Sequence, residues 1–161
     1  DVCSSDLTGK SSVGGICGSI TGKIHNSANL GSVIADSSVG GLAGNNSSAE
    51  IKNCYNGGSV EVTESQTTKG AVDGSTGTNG TYAKVFWISG TCDSAFGTTS
   101  TVAADVTEVN KNSYELSQMA QGLDSGIYDS SVLGSDESVY KTWQYTYTME
   151  GLPYPVCLPV T

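Results

Sequence analysis

The side chains able to do chemistry are few and scattered. The one histidine, His25, sits in a segment whose second copy carries Lys52 at the same place, so it reads as an exposed corner residue rather than a general base. Asp36, Asp73 and Asp93 each fall in a different turn-like stretch. No HExxH or GxSxG pattern and no phosphate-cradling glycine loop is present. Asp73-Gly74-Ser75 with Asn79 has the outline of a calcium loop but lacks its spaced acidic ligands and terminal Glu, so a solvated turn is the expectation there. Of the five cysteines, Cys17, Cys54, Cys92 and Cys157 show no CxxC and no zinc-ligand spacing, and read as structural thiols. Cys17 and Cys54 lie in apolar contexts, where a thiol behaves as a small hydrophobe. No catalytic residue, metal site or cofactor is therefore expected. The candidate binding residues are aromatic: Trp143, Tyr145 and Tyr147, with Trp87 beside them. Aromatic rows on a flat strand stack sugars, and the competing expectation is that these rings pack the C-terminal part onto the rest of the protein.

Few elements are available to position such a row. At 161 residues the chain has room for one domain, and Gly, Ser, Thr and Asn make up 71 of them. That composition argues against a helical bundle or an α/β enzyme and for many short strands around a thin core. Arginine is absent, and 16 acids against 7 Lys leave a net charge of −9. Nucleic-acid binding is excluded on that ground, since it needs a cationic face and profits from bidentate Arg. The charge is uneven: residues 1–60 carry −1 and residues 61–161 carry −8, and of the twelve aromatic residues only Tyr55 precedes position 80. No apolar run reaches the length needed to cross a bilayer, so membrane insertion is not expected, and no signal peptide or C-terminal anchor is legible. Asp1 to Leu7 spells the in-frame translation of a common sequencing adapter, GAC GTG TGC TCT TCC GAT CT. Residues 1–7 are accordingly read as an artefact, with the gene expected to continue upstream of Thr8.

An internal repeat sets the fold expectation. Ser11-Ser12-Val13-Gly14-Gly15-Ile16-Cys17-Gly18 recurs as Ser37-Ser38-Val39-Gly40-Gly41-Leu42-Ala43-Gly44, 26 residues later. The segment Ile24 to Val33 recurs as Ile51 to Val60, offset by 27. A weaker third copy places Lys69 to Gly74 at an offset of 30 from the second, and Tyr82 to Trp87 at 31 from Ile51 to Asn56. Insertions thus fall in turns, and the strand-like segments keep their length. A period near 26 with alternating apolar residues and Gly/Asn/Ser corners predicts an all-β, right-handed parallel β-solenoid of about two to three coils over residues 8–104. Paired glycines suit positive φ or close approach of neighbouring coils. Asn26, Asn29, Asn53 and Asn56 suit turns, and stacked Asn side chains hydrogen-bond between coils. Each coil stacks about 4.8 Å beyond the last, so so few coils leave sheet edges exposed.

Val13-Gly14-Gly15-Ile16-Cys17-Gly18 and Val39-Gly40-Gly41-Leu42-Ala43-Gly44, each followed by an Ile-x-Asn-x-x-Asn-x-Gly-Ser-Val-like segment, resemble GLUG motifs. The resemblance covers residues 11–62 well and 69–97 loosely. Such motifs occur in tandem in large extracellular proteins of Firmicutes and other gut bacteria, including surface proteins and relatives of immunoglobulin A1 protease. In that family the last coil often reads like Asn-Cys-Tyr-Tyr-Leu-x-Gly-Thr, which Lys84 to Thr91 resembles. A closing segment is also usual there, and Gln118-Met119, Trp143 and Leu152 to Leu158 resemble it, with Leu152-Pro153 departing from the usual Asn-Gly.

Residues 105–161 read as a cap without that resemblance. Asn112 with Glu115 is a capping-box spacing, and Leu116, Met119, Ala120 and Leu123 form one stripe, predicting a helix over 113–121 that Gly122 stops. Its partner is expected to be the open end of the solenoid. An aromatic strand is expected over 141–149, followed by a turn at Glu150-Gly151. Pro153 and Pro155 should leave the last segment extended and poor at accepting another strand. The expected function is a non-catalytic structural or display module of a secreted or cell-surface bacterial protein, supporting adhesion. Its expected partners are other domains of a longer parent chain and a host or dietary glycan or protein. A glycan-binding module using the aromatic strand, or an accessory region of an extracellular peptidase, is the alternative. The β-helix polysaccharide lyases are an enzymatic precedent for the expected fold, but they use Arg or Lys beside clustered Asp, and this chain has neither the arginine nor the cluster.

Overall fold

The computed structural model describes residues 2–3, 5–64, 68–75, 80–98, 105–124, 142–144 and 152–156. These form mainly parallel β-sheets with one short helix near the C-terminus. The repeat offset is the pairing register. Strand β2 (Leu7–Gly14) lies parallel to β6 (Val33–Gly40), with Ser11 opposite Ser37 and Val13 opposite Val39. Strand β3 (Cys17–Ile20) pairs with β7 (Ala43–Asn46) at the same offset of 26. Strands β4 (Lys23–His25) and β5 (Ala28–Asn29) both pair with β8 (Glu50–Asn56) at 27. The third copy follows: β9 (Val60–Val62) and β10 (Lys69–Gly70) add to β6, and β11 (Thr81–Ile88) adds to β8 with Tyr82 opposite Ile51, the predicted offset of 31. Strand β1 (Val2–Cys3) pairs with β5 at the opposite edge.

One pairing passes the expected boundary at residue 104, and isolated bridges lengthen another ladder inside it. Strand β12 (Val106–Val109) comes from the segment read as cap, yet it joins β11 in parallel as the last strand of its sheet. The β3–β7 sheet continues as single bridges from Ala43 to Asp73 and from Asp73 to Phe96, so one row runs Cys17, Ala43, Asp73, Phe96.

Side chains sort cleanly by face. In β11, Tyr82, Val85 and Trp87 join Ile24, Leu42, Ile51, Cys54, Val72 and Phe96 in the largest apolar cluster. Phe86 and Ile88, on the other face of the same strand, join Ala28, Tyr55 and Val109 in a second cluster. A third, of Val33, Ala35, Val39 and Val60, lines the β2–β6 sheet. The sheet containing β8 and β11 is therefore covered on both faces, which is why β8 reads as nearly continuous buried residues rather than as a simple alternation.

The strands bend at stacked points. Ser12 and Ser38 have φ of 51° and 49°, and Asn26, Asn53 and Lys84 have φ of 50°, 56° and 50°. Within each set the residues are register equivalents, so the left-handed residue recurs at one place in successive copies. Asn tolerates this conformation better than Ser or Lys. The paired glycines, in contrast, serve close approach. A Cβ on Gly40 would lie 2.7 Å from both the Ala43 carbonyl carbon and the Gly74 nitrogen, and Gly90 is the one described glycine with positive φ.

Lys84 offers a test of the Asn stack. Asn53 donates through Nδ2 to Asn26 Oδ1 at 2.7 Å, but its own Oδ1 is buried with no partner. The equivalent residue in the next copy is Lys84, where a third Asn would present another amide in a φ it accepts. Lys84→Asn is expected to stabilise the protein by about 1 kcal/mol, read as a rise in the chemical-denaturation midpoint. An unchanged or lower midpoint would show that the stack does not extend.

The helix, α1 (Ser113–Asp124), begins as the spacing predicts. Asn112 Oδ1 accepts the Glu115 N–H at 3.0 Å. Glu115 reaches back two residues further than the standard box, accepting the Asn110 N–H at 2.7 Å, and these bonds hold its carboxyl below the usual range. Two expectations are corrected. Gly122 does not stop the helix, which runs on to Asp124; it faces Phe86, whose ring a Cβ there would approach to 2.9 Å. The stripe of Leu116, Met119, Ala120 and Leu123 is buried, but not over an open end. Leu116, Met119 and Leu123 pack with Ala28, Tyr55, Ile88 and Val109, a set drawn from four successive strands, so α1 lies across the side of the sheet. The reason is that Tyr55, Phe86 and Ile88 turn large apolar groups to that face, and an apolar stripe buries more surface there than on the polar backbone of an edge.

The last described segment is tied to the same face. Leu152 is buried in the helix cluster, and the Tyr55 hydroxyl donates a hydrogen bond to the Pro153 carbonyl. Beyond it β14 (Tyr154–Val156) pairs antiparallel with β13 (Thr142–Gln144), placing Pro155 opposite Trp143. The segment expected to be a poor acceptor of another strand is extended here, with β13 as its one partner strand among the described residues.

Candidate functional site

The residues able to do chemistry stay apart in the fold, and most are engaged in structure. His25 is corrected from an exposed corner to a covered one: its side chain is 8% exposed, and its Nε2 lies 2.6 Å from Glu50 Oε1. Lys23 approaches the same carboxylate at 3.7 Å. The strand register explains the trio, since Lys23 pairs with Glu50 and His25 with Lys52 across β4 and β8. Asp36 accepts the Thr63 hydroxyl, and Asp93 pairs with Lys69 at 2.9 Å. Among the described residues no group of three or more His, Cys, Asp and Glu side chains is placed to hold a metal ion.

Asp73 departs most from its sequence reading. In place of a solvated turn, it is fully buried in the row between Ala43 and Phe96. Oδ1 accepts the Ser75 N–H at 2.8 Å; Oδ2 accepts the Ser75 hydroxyl at 3.0 Å and the Tyr82 hydroxyl at 2.8 Å. Asn46 Nδ2 in turn donates to the Tyr82 oxygen at 3.2 Å, and the Tyr82 ring meets Phe96 edge-on at 5.0 Å. Burial pushes the Asp73 carboxyl above the ordinary range, against the opposing effect of those donors. Asn79, the other member of the calcium outline, lies outside the described residues. One signal in the sequence points to this cluster: Asp73 occupies the repeat position held earlier by Cys17 and Ala43, a place in the row rather than a corner.

Of the four aromatic candidates, Trp87 is the one whose side chain is described. Trp87 is 6% exposed and packs in the largest cluster, so its ring offers no open face for a sugar. For Trp143 the backbone is described, in β13, and Tyr145 and Tyr147 lie outside the described residues. Of the cysteines, Cys17, Cys54 and Cys92 are free thiols. Cys54 is buried, donates to the Lys52 carbonyl at 3.1 Å, and has its pKa pushed up to about 12 by burial. It is an inert packing group, as its context suggests.

What the molecule builds most completely is the repeat itself. Asn29 and Asn56, both fully buried, each donate through Nδ2 to the carbonyl two residues on, Gly31 at 2.9 Å and Gly58 at 2.8 Å. Their Oδ1 atoms accept the Gly31 and Gly58 N–H groups, and Asn29 Nδ2 also donates to Asn56 Oδ1 at 2.9 Å. One side chain therefore closes its own turn and bonds the turn of the next copy. This arrangement repeats at the sequence period.

Residues 35–61 match the GLUG motif. The match covers one full period: Ala35 opens it, and the residue after its end, Val62, is the strand partner of Ala35. The GLUG motif is typical of repeat regions in bacterial surface proteins, and it points to a non-catalytic repeat module. The second sequence copy, with Gly40-Gly41, Asn53 and Asn56, lies inside the matched residues, and the first copy pairs with it strand for strand. No curated protein and no solved structure matches the chain.

Proposed function

We propose that this chain is a non-catalytic structural and display module of a secreted or cell-surface bacterial protein, in which GLUG repeats stack as two to three coils of a right-handed β-solenoid and carry neighbouring domains for adhesion. The observation that supports this reading most is that one GLUG motif returns the chain to its own strand register, Ala35 to Val62. A unit that closes on itself can be added without disturbing its neighbours. The right hand follows from the strong bias of parallel crossovers. Partners under this reading are other domains of a longer parent chain and a host or dietary glycan or protein; a surface of net charge −9 without arginine disfavours nucleic acid.

The test is duplication of residues 35–61 in tandem. An added coil lengthens the particle by about 4.8 Å without widening it, measured by small-angle scattering, and raises the denaturation midpoint. A particle that widens, or that loses cooperative unfolding, would defeat the reading. Hydrolysis of a host glycan or protein by the purified chain would defeat its non-catalytic part.

A further inference from the structure

We propose that Asp73 is a pH-dependent latch that fastens the third repeat onto the second, closing when its carboxyl is protonated and loosening when it ionises. Geometry places it at that joint. Asp73 bridges Ala43 of the second repeat on one side and Phe96 on the other, and its N–H donates to the Ala95 carbonyl at 3.2 Å. Its carboxyl gathers Ser75 from its own segment and Tyr82 from β11, and Tyr82 carries the contact on to Asn46 of β7. Three elements therefore meet at one fully buried carboxyl.

No cation balances it among the described residues. From β7 the facing polar groups are Asn46 and its N–H, neither of which titrates. From β11 the facing titratable group is Tyr82, held protonated by burial and by the adjacent carboxyl; Lys84 is on the same strand, and its backbone N–H bonds Asp105. Lys69 of β10 and Asp93 pair with one another at 2.9 Å. A buried carboxylate without a counter-charge is costly, and its donors, the Ser75 N–H and hydroxyl, the Tyr82 hydroxyl and the Asn46 N–H, offset only part of that cost.

Protonation gives Asp73 a donor. The Oδ2 proton then goes to the Ser75 oxygen, and the half-exposed Ser75 hydroxyl turns its own hydrogen outward, while Tyr82 still donates to the carboxyl. No bond of the junction is lost and the buried charge is removed. Because the folded carboxyl binds its proton more tightly than the unfolded one, the stabilisation is fully present below the ordinary carboxyl range and is lost as pH rises through the folded value.

The experiment compares denaturation midpoints of the wild-type chain and Asp73→Asn from pH 3 to pH 8. In the difference between the two profiles, the wild type is expected to lose stability as pH rises above the ordinary carboxyl range, a loss that the variant lacks. Parallel profiles would overturn the proposal. If Asp73→Asn does not fold, the wild-type Asp73 carboxyl is followed by carbon NMR, with Tyr82→Phe as the second protein. A midpoint above the ordinary aspartate range that rises further in Tyr82→Phe, where the carboxylate loses a donor, supports the latch; an ordinary midpoint overturns it. Amide exchange at Ala71 to Gly74 should quicken across the same transition beyond its intrinsic base dependence.

Discussion

Replacing Asn56 with Ala is expected to cost about 3 kcal/mol of unfolding free energy, since it orphans three buried hydrogen-bonding groups at roughly 1 kcal/mol or more each. The groups are the Gly58 N–H, the Gly58 carbonyl and one Nδ2 hydrogen of Asn29. They lie in two stacked turns that are buried, so nothing replaces the lost partner. Asn56→Asp keeps the shape but sets a carboxylate oxygen against the Gly58 carbonyl, and should be as damaging at neutral pH and partly recovered in acid. Asn45 provides the control, because its amide makes one exposed 3.5 Å contact to Ser19, and Asn45→Ala should change stability by less than about 0.5 kcal/mol. Urea unfolding of the three variants decides the matter. A loss below about 1 kcal/mol for Asn56→Ala would mean that the ladder is decorative.

Gly40→Ala is expected to be of similar size, about 3 kcal/mol, by a different mechanism. Its Cβ would overlap the Ala43 carbonyl and crowd the backbone nitrogen of Gly74, so the obstacle is main chain on two sides rather than a side chain that can swing away. To admit one methyl group, β6 must separate from the segment of the third repeat. Gly22 has no atom within 4 Å of its would-be Cβ and no positive φ, and Gly22→Ala should be neutral or slightly stabilising. Thermal unfolding of both variants tests the distinction. Equal effects at the two sites would show that close approach does not set the glycine requirement.

These two predictions also mark how far the sequence could be read. The offsets of 26, 27, 30 and 31 were legible because parallel strands pair identical repeat positions, so self-alignment and strand register are the same information. The Asn stack was legible for the same reason. The left-handed residues at Ser12, Ser38 and Lys84 were not, because neither Ser nor Lys announces positive φ as Gly and Asn do. Trp87 looked like part of a binding row because adjacency in composition says nothing about which face of β11 a ring takes; the bend at Lys84 resets the alternation and turns it inward. Asp73 looked like a solvated turn because Asp-Gly-Ser is turn chemistry locally, and only the row of Cys17, Ala43 and Phe96 makes the site interior.

By itself, the sequence determined the repeat, its period, the parallel pairing it implies, the helix with its cap and stripe, and the absence of a recognisable catalytic motif. Each of these depends on spacing along the chain. The tertiary structure decided where the helix lies, what Gly122 faces, what Tyr55 and Leu152 hold, and that His25 and Asp73 are covered. Those outcomes depend on which surfaces meet when distant segments pack. A repeat specifies its own neighbours, but it does not say what will cover its outer face.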